Sequence, residues 1–305
     1  MKVILVNHFH NGDLHVSRGI IRKIIERVKQ QDPTTTFVYS HKCHPTLLQD
    51  IPDLEYDPEP IKLLRNEHDN LLKVKDSVYI NTWYGQQHQK YVRLYETTFD
   101  CLYSALEDSC RQLWGFSLSD ISTDLRDFFP TIDYSKYEIG EAKQWIDNHG
   151  EQKILIENGF ALSNQSDNFA MEPIIIDLAQ KYPQKTFILT CPSVILDKPD
   201  NVVFSSDIIK KNIKSDLNEV SYLSSHCDVI IGRASGVFSF TLTQENLFKR
   251  KINYLCFCQQ RFLPAKTNKF WLNKRFQDIV NYTSNIEATS DFGRAQAIIE
   301  GTLSE

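Results

Sequence analysis

The feature that most constrains the fold is a pattern that starts twice. KVILVNHF at 2–9 is a short apolar run, fit for a buried strand of a parallel sheet. KILIENGF at 153–160 resembles it after a long polar interval. Each run leads into a polar loop and then into a helix. After the first, Ile20, Ile21, Ile24, Ile25 and Val28 recur at helical spacing and predict an amphipathic helix over about 16–31. After the second, a helix is expected over Met171–Tyr182, with Ser166 and Asp167 in its capping region and Pro173 in its first turn. Further strands are expected at 35–41, 77–84, 186–192, 202–207, 228–232 and 252–257. Further helices are expected over 91–114, around VSYLSSH, and from GRASG to about 249. Residues 44–75 read as irregular and the tail, 269–305, as mostly helical. Alternating strands and helices define an α/β chain with parallel sheets. The restart near 153 divides it into two such α/β domains, 1–150 and 151–287. A C-terminal helix at about 288–305 is left free to pack back on the first.

Composition excludes several classes. The 305 residues are 41% hydrophobic, enough for two cores, and the formal charge is −5. No Lys/Arg run suggests nucleic acid as a partner, and no apolar stretch approaches the roughly 20 residues of a membrane span. With no cleavable leader pattern, the expectation is a cytoplasmic protein. The seven cysteines form no CxxC pair and read as free buried thiols.

In open parallel sheets, ligands bind beyond the carboxyl ends of the strands. Three loops fall there, at 8–18, 158–168 and 232–237, and two facing domains would gather them around one cleft. HFHNGDLH brings His8, His10, Asp13 and His15 into the first loop. One reading is a metal site, since imidazole and carboxylate are good zinc ligands. Its H-x-H-x-x-D-x-H spacing differs from the H-x-H-x-D-H of metallo-β-lactamase-like hydrolases. Another is that Asp13 and Ser17 only cap a helix. In DVIIGRASGVFSF, a strand ends at Gly232 and small residues open a helix. The backbone N–H groups near Ser235, Gly236 and Val237 form a candidate diphosphate cradle, and Arg233 stands beside it as a candidate bidentate phosphate ligand. The third loop offers the polar side chains of Asn158, Ser163 and Gln165. It contains no Lys or Arg, and none occurs from Ile154 through Gln180.

The N-G-D-L-H stretch leading into a helix resembles the opening of bacterial heptosyltransferases, where the Asp after the Gly is the catalytic base. The matching residues here are Gly12 and Asp13. In the second motif Ser235 and Gly236 match that family's Thr-Gly. Ala234 and Ser239 stand where the family has Asp and His. The resemblance implies the two-Rossmann-domain glycosyltransferase architecture, GT-B, facing a cleft. It implies an inverting, metal-independent transferase of polysaccharide biosynthesis that needs no cofactor. No D-x-D sequence is present to hold a metal on a diphosphate. The expected partners are a nucleotide-diphosphate sugar in the second domain and a glycan or lipid-linked hydroxyl acceptor in the first. Asp13 would take the acceptor's proton. His10, Gly12, His15, Asn81, Trp83 and Tyr84 are the acceptor-side residues, with Trp83 or Tyr84 stacking on a sugar ring. Three other functions fit the same sequence: a nucleotide-sugar epimerase, a metal-dependent hydrolase built on the His/Asp cluster, and a nucleotide or glycan binder without catalysis.

Overall fold

The structure, a computed structural model, describes residues 1–7, 11–58, 70–83, 98–162, 165–192, 198–210, 215–250, 252–260 and 286–304. Its described residues form two compact units, Met1–Ile132 and Asp133 onward.

The first unit contains β1 (Lys2–Asn7), α1 (Asn11–Gln31), β2 (Thr36–His41), β3 (Leu54–Asp57), β4 (Leu71–Val74), β5 (Ser77–Asn81) and α2 (Thr98–Trp114). The sheet order is β3-β2-β1-β5-β4, with only β4 antiparallel, paired to β5. The chain builds outward from β1 to β3 and then returns to β1's other side as β5. The sheet therefore switches direction between β1 and β5, which is where open α/β sheets leave a crevice. α1 starts at Asn11, ahead of its apolar stripe, so Gly12 and Asp13 lie in its first turn. Its Gly19 meets the loop at 128–129 closely. A Cβ there would sit 2.4 Å from the Phe128 carbonyl oxygen and 2.3 Å from that of Phe129. β3 and β4 fall in the stretch expected to be irregular. Their side chains are mostly part-exposed or exposed, so no buried alternation marks them.

The second unit contains α3 (Gly140–Asp147), β6 (Lys153–Glu157), α4 (Glu172–Lys181), β7 (Thr186–Leu189), β8 (Val202–Phe204), α5 (Leu217–Ser224), β9 (Val229–Arg233), α6 (Gly236–Phe240), β10 (Asn253–Phe257), β11 (Ile286–Thr289) and α7 (Ala295–Ser304). All six strands are parallel, in the order β11-β10-β9-β6-β7-β8. This sheet switches direction between β6 and β9. Ile154, Ile156, Ile175, Leu178, Phe187, Ile231 and Phe257 form its core.

Four details differ from the sequence reading. The second unit begins near 133 instead of 151: the Tyr134 hydroxyl lies 3.1 Å from Ser221 Oγ, and its ring meets Tyr222 edge-on. The C-terminal helix packs on the second sheet. Ala295, Ile299 and Leu303 lie in the second core, and Lys185 Nζ donates to the Leu303 carbonyl at 2.6 Å. Residues 286–289, expected to be helical, extend the sheet as β11. The helix expected from GRASG to 249 breaks after Phe240, and a π-helical turn follows at Glu245–Arg250. The Thr241 carbonyl, which a continuous helix would use, accepts from Tyr254 Oη at 2.7 Å and Asn246 Nδ2 at 2.8 Å.

Candidate functional site

Each sheet carries one of the expected loop clusters at its switch point. In the first unit, Asp13 stands half-buried beyond the end of β1, and Asn81 ends β5 next door. Tyr39 ties these two sides together. Its hydroxyl lies 3.0 Å from Ser17 Oγ on α1 and 2.6 Å from Thr82 Oγ1 beyond β5. Thr82 Oγ1 in turn donates to the Val6 carbonyl at 3.0 Å. Burial and then the nearby Asp13 charge push the Tyr39 hydroxyl pKa up, so it stays protonated. The same carboxylate adds to burial in raising Cys43 to about 11. The start of α1, which carries Asp13 one turn before Ser17, is thus braced to the adjacent strand end.

The acceptor-side residues fare differently. Trp83 is part-exposed, and its backbone N–H donates to Asn81 Oδ1 at 3.0 Å, so Asn81 shapes the turn that presents it. Asn81 itself is 1% exposed and His15 is fully buried, so neither side chain offers a surface to an acceptor. Gly12 lies in the first turn of α1 beside Asp13. His10 and Tyr84 lie outside the described residues, as does His8 of the metal reading. His15 is two residues from Asp13 on one helix, and side chains at that spacing point apart. Among the described residues no three metal-ligating side chains gather.

In the second unit the loops after β6 and β9 flank the switch point, and each holds the other. Arg233, last residue of β9, is 2% exposed. Its Nη1 donates to the carbonyls of Asn158 at 2.7 Å and Gly159 at 2.8 Å. Its Nη2 donates to the Phe169 carbonyl, and the guanidinium lies over the Phe169 ring, 5.1 Å from its centroid. The expectation of an outward, bidentate phosphate ligand is not met in this arrangement. Both terminal nitrogens are turned inward, onto the backbone of the 158–169 loop.

From the other side, Glu157 ends β6 and reaches under the β9 turn. Its Oε2 accepts the Arg233 backbone N–H at 3.2 Å. Burial lifts its pKa to about 7, and the Arg233 amide and the Arg233 charge pull the other way. Gly232 makes the crossing possible: a Cβ there would come within 2.6 Å of the Glu157 Cβ. In the sequence Glu157 is only a polar residue inside the 153–160 run. The signal was an acid closing an otherwise apolar run, opposite a strand that closes with arginine.

Ser235, Gly236 and Val237 are part-exposed on this turn, as the cradle reading requires. Ser235 Oγ caps α6 by accepting the Phe238 N–H at 3.1 Å. α6 is only five residues long, so the turn's own amides, more than a helix dipole, are what it presents. Ala234 is 3% exposed, and Ser239 turns its hydroxyl back to the Ser235 carbonyl at 2.9 Å. Asn158 exchanges hydrogen bonds with the Cys191 backbone, its Nδ2 donating at 3.0 Å and its Oδ1 accepting at 2.9 Å. It pins the loop after β7 instead of pointing outward. Gln165 is part-exposed, and Ser163 lies outside the described residues.

No protein-family model matches the chain, and no curated protein matches it by sequence. Solved structures do. A family 9 glycosyl transferase from Veillonella parvula superposes over 100% of this chain and 89% of its own, with a TM-score of 0.50 at 12% identity. The E. coli heptosyltransferase WaaC with ADP covers 100% of this chain and 98% of its own, with a TM-score of 0.49 at 11% identity. A glycotransferase of kitacinnamycin covers 100% and 91%, with a TM-score of 0.46 at 12% identity. The Veillonella likeness establishes the fold: α/β, with two Rossmann-like parallel-dominated sheets, the GT-B glycosyltransferase architecture.

Proposed function

We propose that the chain is a glycosyltransferase that moves a sugar from a nucleotide-diphosphate donor to a hydroxyl acceptor, with inversion and without a metal. The observation that carries this reading is the placement of the two motif loops. The carboxylate-bearing loop lies at the switch point of the first sheet and the small-residue turn at that of the second, on a GT-B fold. Asp13 takes the acceptor's proton as its oxygen attacks the anomeric carbon. The bond from that carbon to the diphosphate breaks, and the electron pair leaves on the diphosphate. The amides of the part-exposed turn at 235–237 meet the developing charge. Arg233 supports them from beneath by fixing the loop at 158–159. The acceptor, a glycan or a lipid-linked hydroxyl compound, rests against Trp83.

Thermal stability of the metal-stripped protein against UDP, GDP, ADP, CDP and CMP identifies the donor class, because a ligand of the native state raises the midpoint. Asp13→Asn should then lower kcat by about 100-fold or more with little change in nucleotide affinity. Near-normal turnover in that variant would make Asp13 a helix cap and remove it as the base. Nucleotide binding with no turnover on any donor would leave a binder without catalysis. A protein that regains stability only with added zinc would return HFHNGDLH to the metal reading.

A further inference from the structure

The loop after β6 holds two large apolar side chains in water. Phe160 is 75% exposed and Leu162 94%, while Ala161 between them is 3% exposed. That exposure is built in, because the backbone beneath is pinned. Arg233 Nη1 donates to the carbonyls of Asn158 and Gly159 at 2.7 and 2.8 Å, and the Asn158 side chain is tied to the Cys191 backbone. Asn168 then grips Ala161 twice. The Ala161 N–H donates to Asn168 Oδ1 at 2.8 Å, and Asn168 Nδ2 donates to the Ala161 carbonyl at 3.4 Å. A residue that turns its N–H and its C=O to the same neighbour is extended, as in a hydrogen-bonded strand pair. The side chains before and after it then project together, opposite to its own.

Phe160 and Leu162 therefore stand side by side over a buried Ala161. Two residues along an extended chain span about 6.6–6.8 Å. Apolar atoms touch at about 3.5–4 Å, so the space between the two side chains takes one flat ring, contacted on both faces. No Lys or Arg occurs from Ile154 through Gln180, so the loop suits an uncharged group. An anionic lipid surface calls for basic residues and does not match it. The loop also adjoins the candidate diphosphate turn: Arg233, which grips Gly159, stands two residues before Ser235. A nucleotide has both parts, a charged diphosphate and an uncharged, flat, aromatic base.

We propose that the base of the donor nucleotide stacks on Phe160, with Leu162 closing over its other face. This rests on the donor-site reading above. Every base has a π-face, so the platform adds affinity for any nucleotide and leaves the choice among bases to other contacts.

Calorimetric titration of the full chain with UDP, ADP and inorganic pyrophosphate tests this, on wild type and on Phe160→Ala, Leu162→Ala and Phe160→Trp. These side chains are exposed, so the fold tolerates the changes. Phe160→Ala should weaken both nucleotides by about 5- to 150-fold, the range of one base–aromatic stack, and Leu162→Ala by less. Both variants should bind pyrophosphate as wild type does. Phe160→Trp should keep nucleotide affinity, and its added indole emission should be quenched by UDP and ADP but not by pyrophosphate. Where pyrophosphate binds too weakly to titrate, quenching by the nucleotides decides. Nucleotide affinity unchanged in Phe160→Ala, or no quenching in Phe160→Trp, overturns the platform and leaves the donor site standing. Pyrophosphate affinity falling in step with the nucleotides overturns it too, because the loop itself has then moved. So does association of wild type with phosphatidylcholine vesicles or with itself that Phe160→Ala abolishes while nucleotide affinity holds; the pair then serves a lipid or a second copy. No binding of either nucleotide to wild type overturns both readings.

Discussion

Arg233→Ala separates two roles for one arginine. In the structure it is a strut: three backbone carbonyls, those of Asn158, Gly159 and Phe169, receive its guanidinium hydrogen bonds in a site 2% exposed. A hydrogen bond from a charged donor contributes about 1.5–3 kcal/mol, and such contributions do not simply add. Removing a buried charged partner typically costs about 3–5 kcal/mol, and here it also leaves Glu157 without its nearest cation. The second unit should therefore lose about 3–5 kcal/mol. Arg233→Lys should recover less than half of that, because an ammonium cannot span three carbonyls as a planar fork does. Native-state hydrogen exchange is the assay, since it reads the β6 and β9 amides separately from those of the first unit. The first sheet should be unchanged and serves as the internal control. If β6 and β9 keep their protection within about 0.5 kcal/mol while nucleotide binding weakens by the roughly 1.5–3 kcal/mol of a direct phosphate contact, the strut account is wrong. Arg233 then faces the ligand.

The two units should also respond to pH with opposite signs. His41 is buried, its Nδ1 has no hydrogen-bond partner among the described residues, and burial holds its pKa near 4 against an ordinary 6.5. The unfolded chain therefore binds the extra proton, and the first unit should lose up to about 3 kcal/mol as pH falls from 6.5 to 4. Glu157 is raised from 4.5 to about 7, so the folded second unit binds the extra proton and should lose a similar amount as pH rises from 4.5 to 7. Hydrogen exchange across pH 4–7.5 checks both trends; parallel trends in the two units would contradict them. Gly19→Ala should cost at least about 2 kcal/mol in the first unit, because the new Cβ meets two backbone oxygens that cannot swing aside. A urea midpoint equal to wild type would show that α1 can shift off the 128–129 loop.

The doubly started α/β pattern was legible because both first strands are buried on both faces and read as continuous apolar runs. The elements that escaped notice lack that signal. β3 and β4 carry half-exposed side chains, and β11 is a four-residue IEAT strand recognisable only by its pairing to β10. The break after Phe240 depends on Tyr254 and Asn246 capturing one carbonyl, a tertiary event invisible to helical periodicity. The site divides the same way. The positions of Asp13, Trp83 and the turn at 235–237 follow from strand ends and loop composition. The directions of His15, Asn81, Asn158 and Arg233 do not. All four read as polar groups available to a ligand, and all four are turned into the protein. A polar residue at a strand end meets two demands, ligand and backbone carbonyls, and sequence alone does not tell which one it serves. Glu157 is the converse: nothing in the 153–160 run by itself sets it apart, yet it ends β6 and holds the backbone where β9 ends.

The most direct test of the central claim is hydrogen exchange of the full chain with and without saturating UDP, GDP, ADP and CDP. A GT-B glycosyltransferase of this design should show one nucleotide slowing exchange at 157–162 and 233–238, the two sides of the second switch point. If no nucleoside diphosphate protects either segment, or if protection falls only elsewhere, the crevice between β6 and β9 is not a donor site and the proposed transferase is wrong.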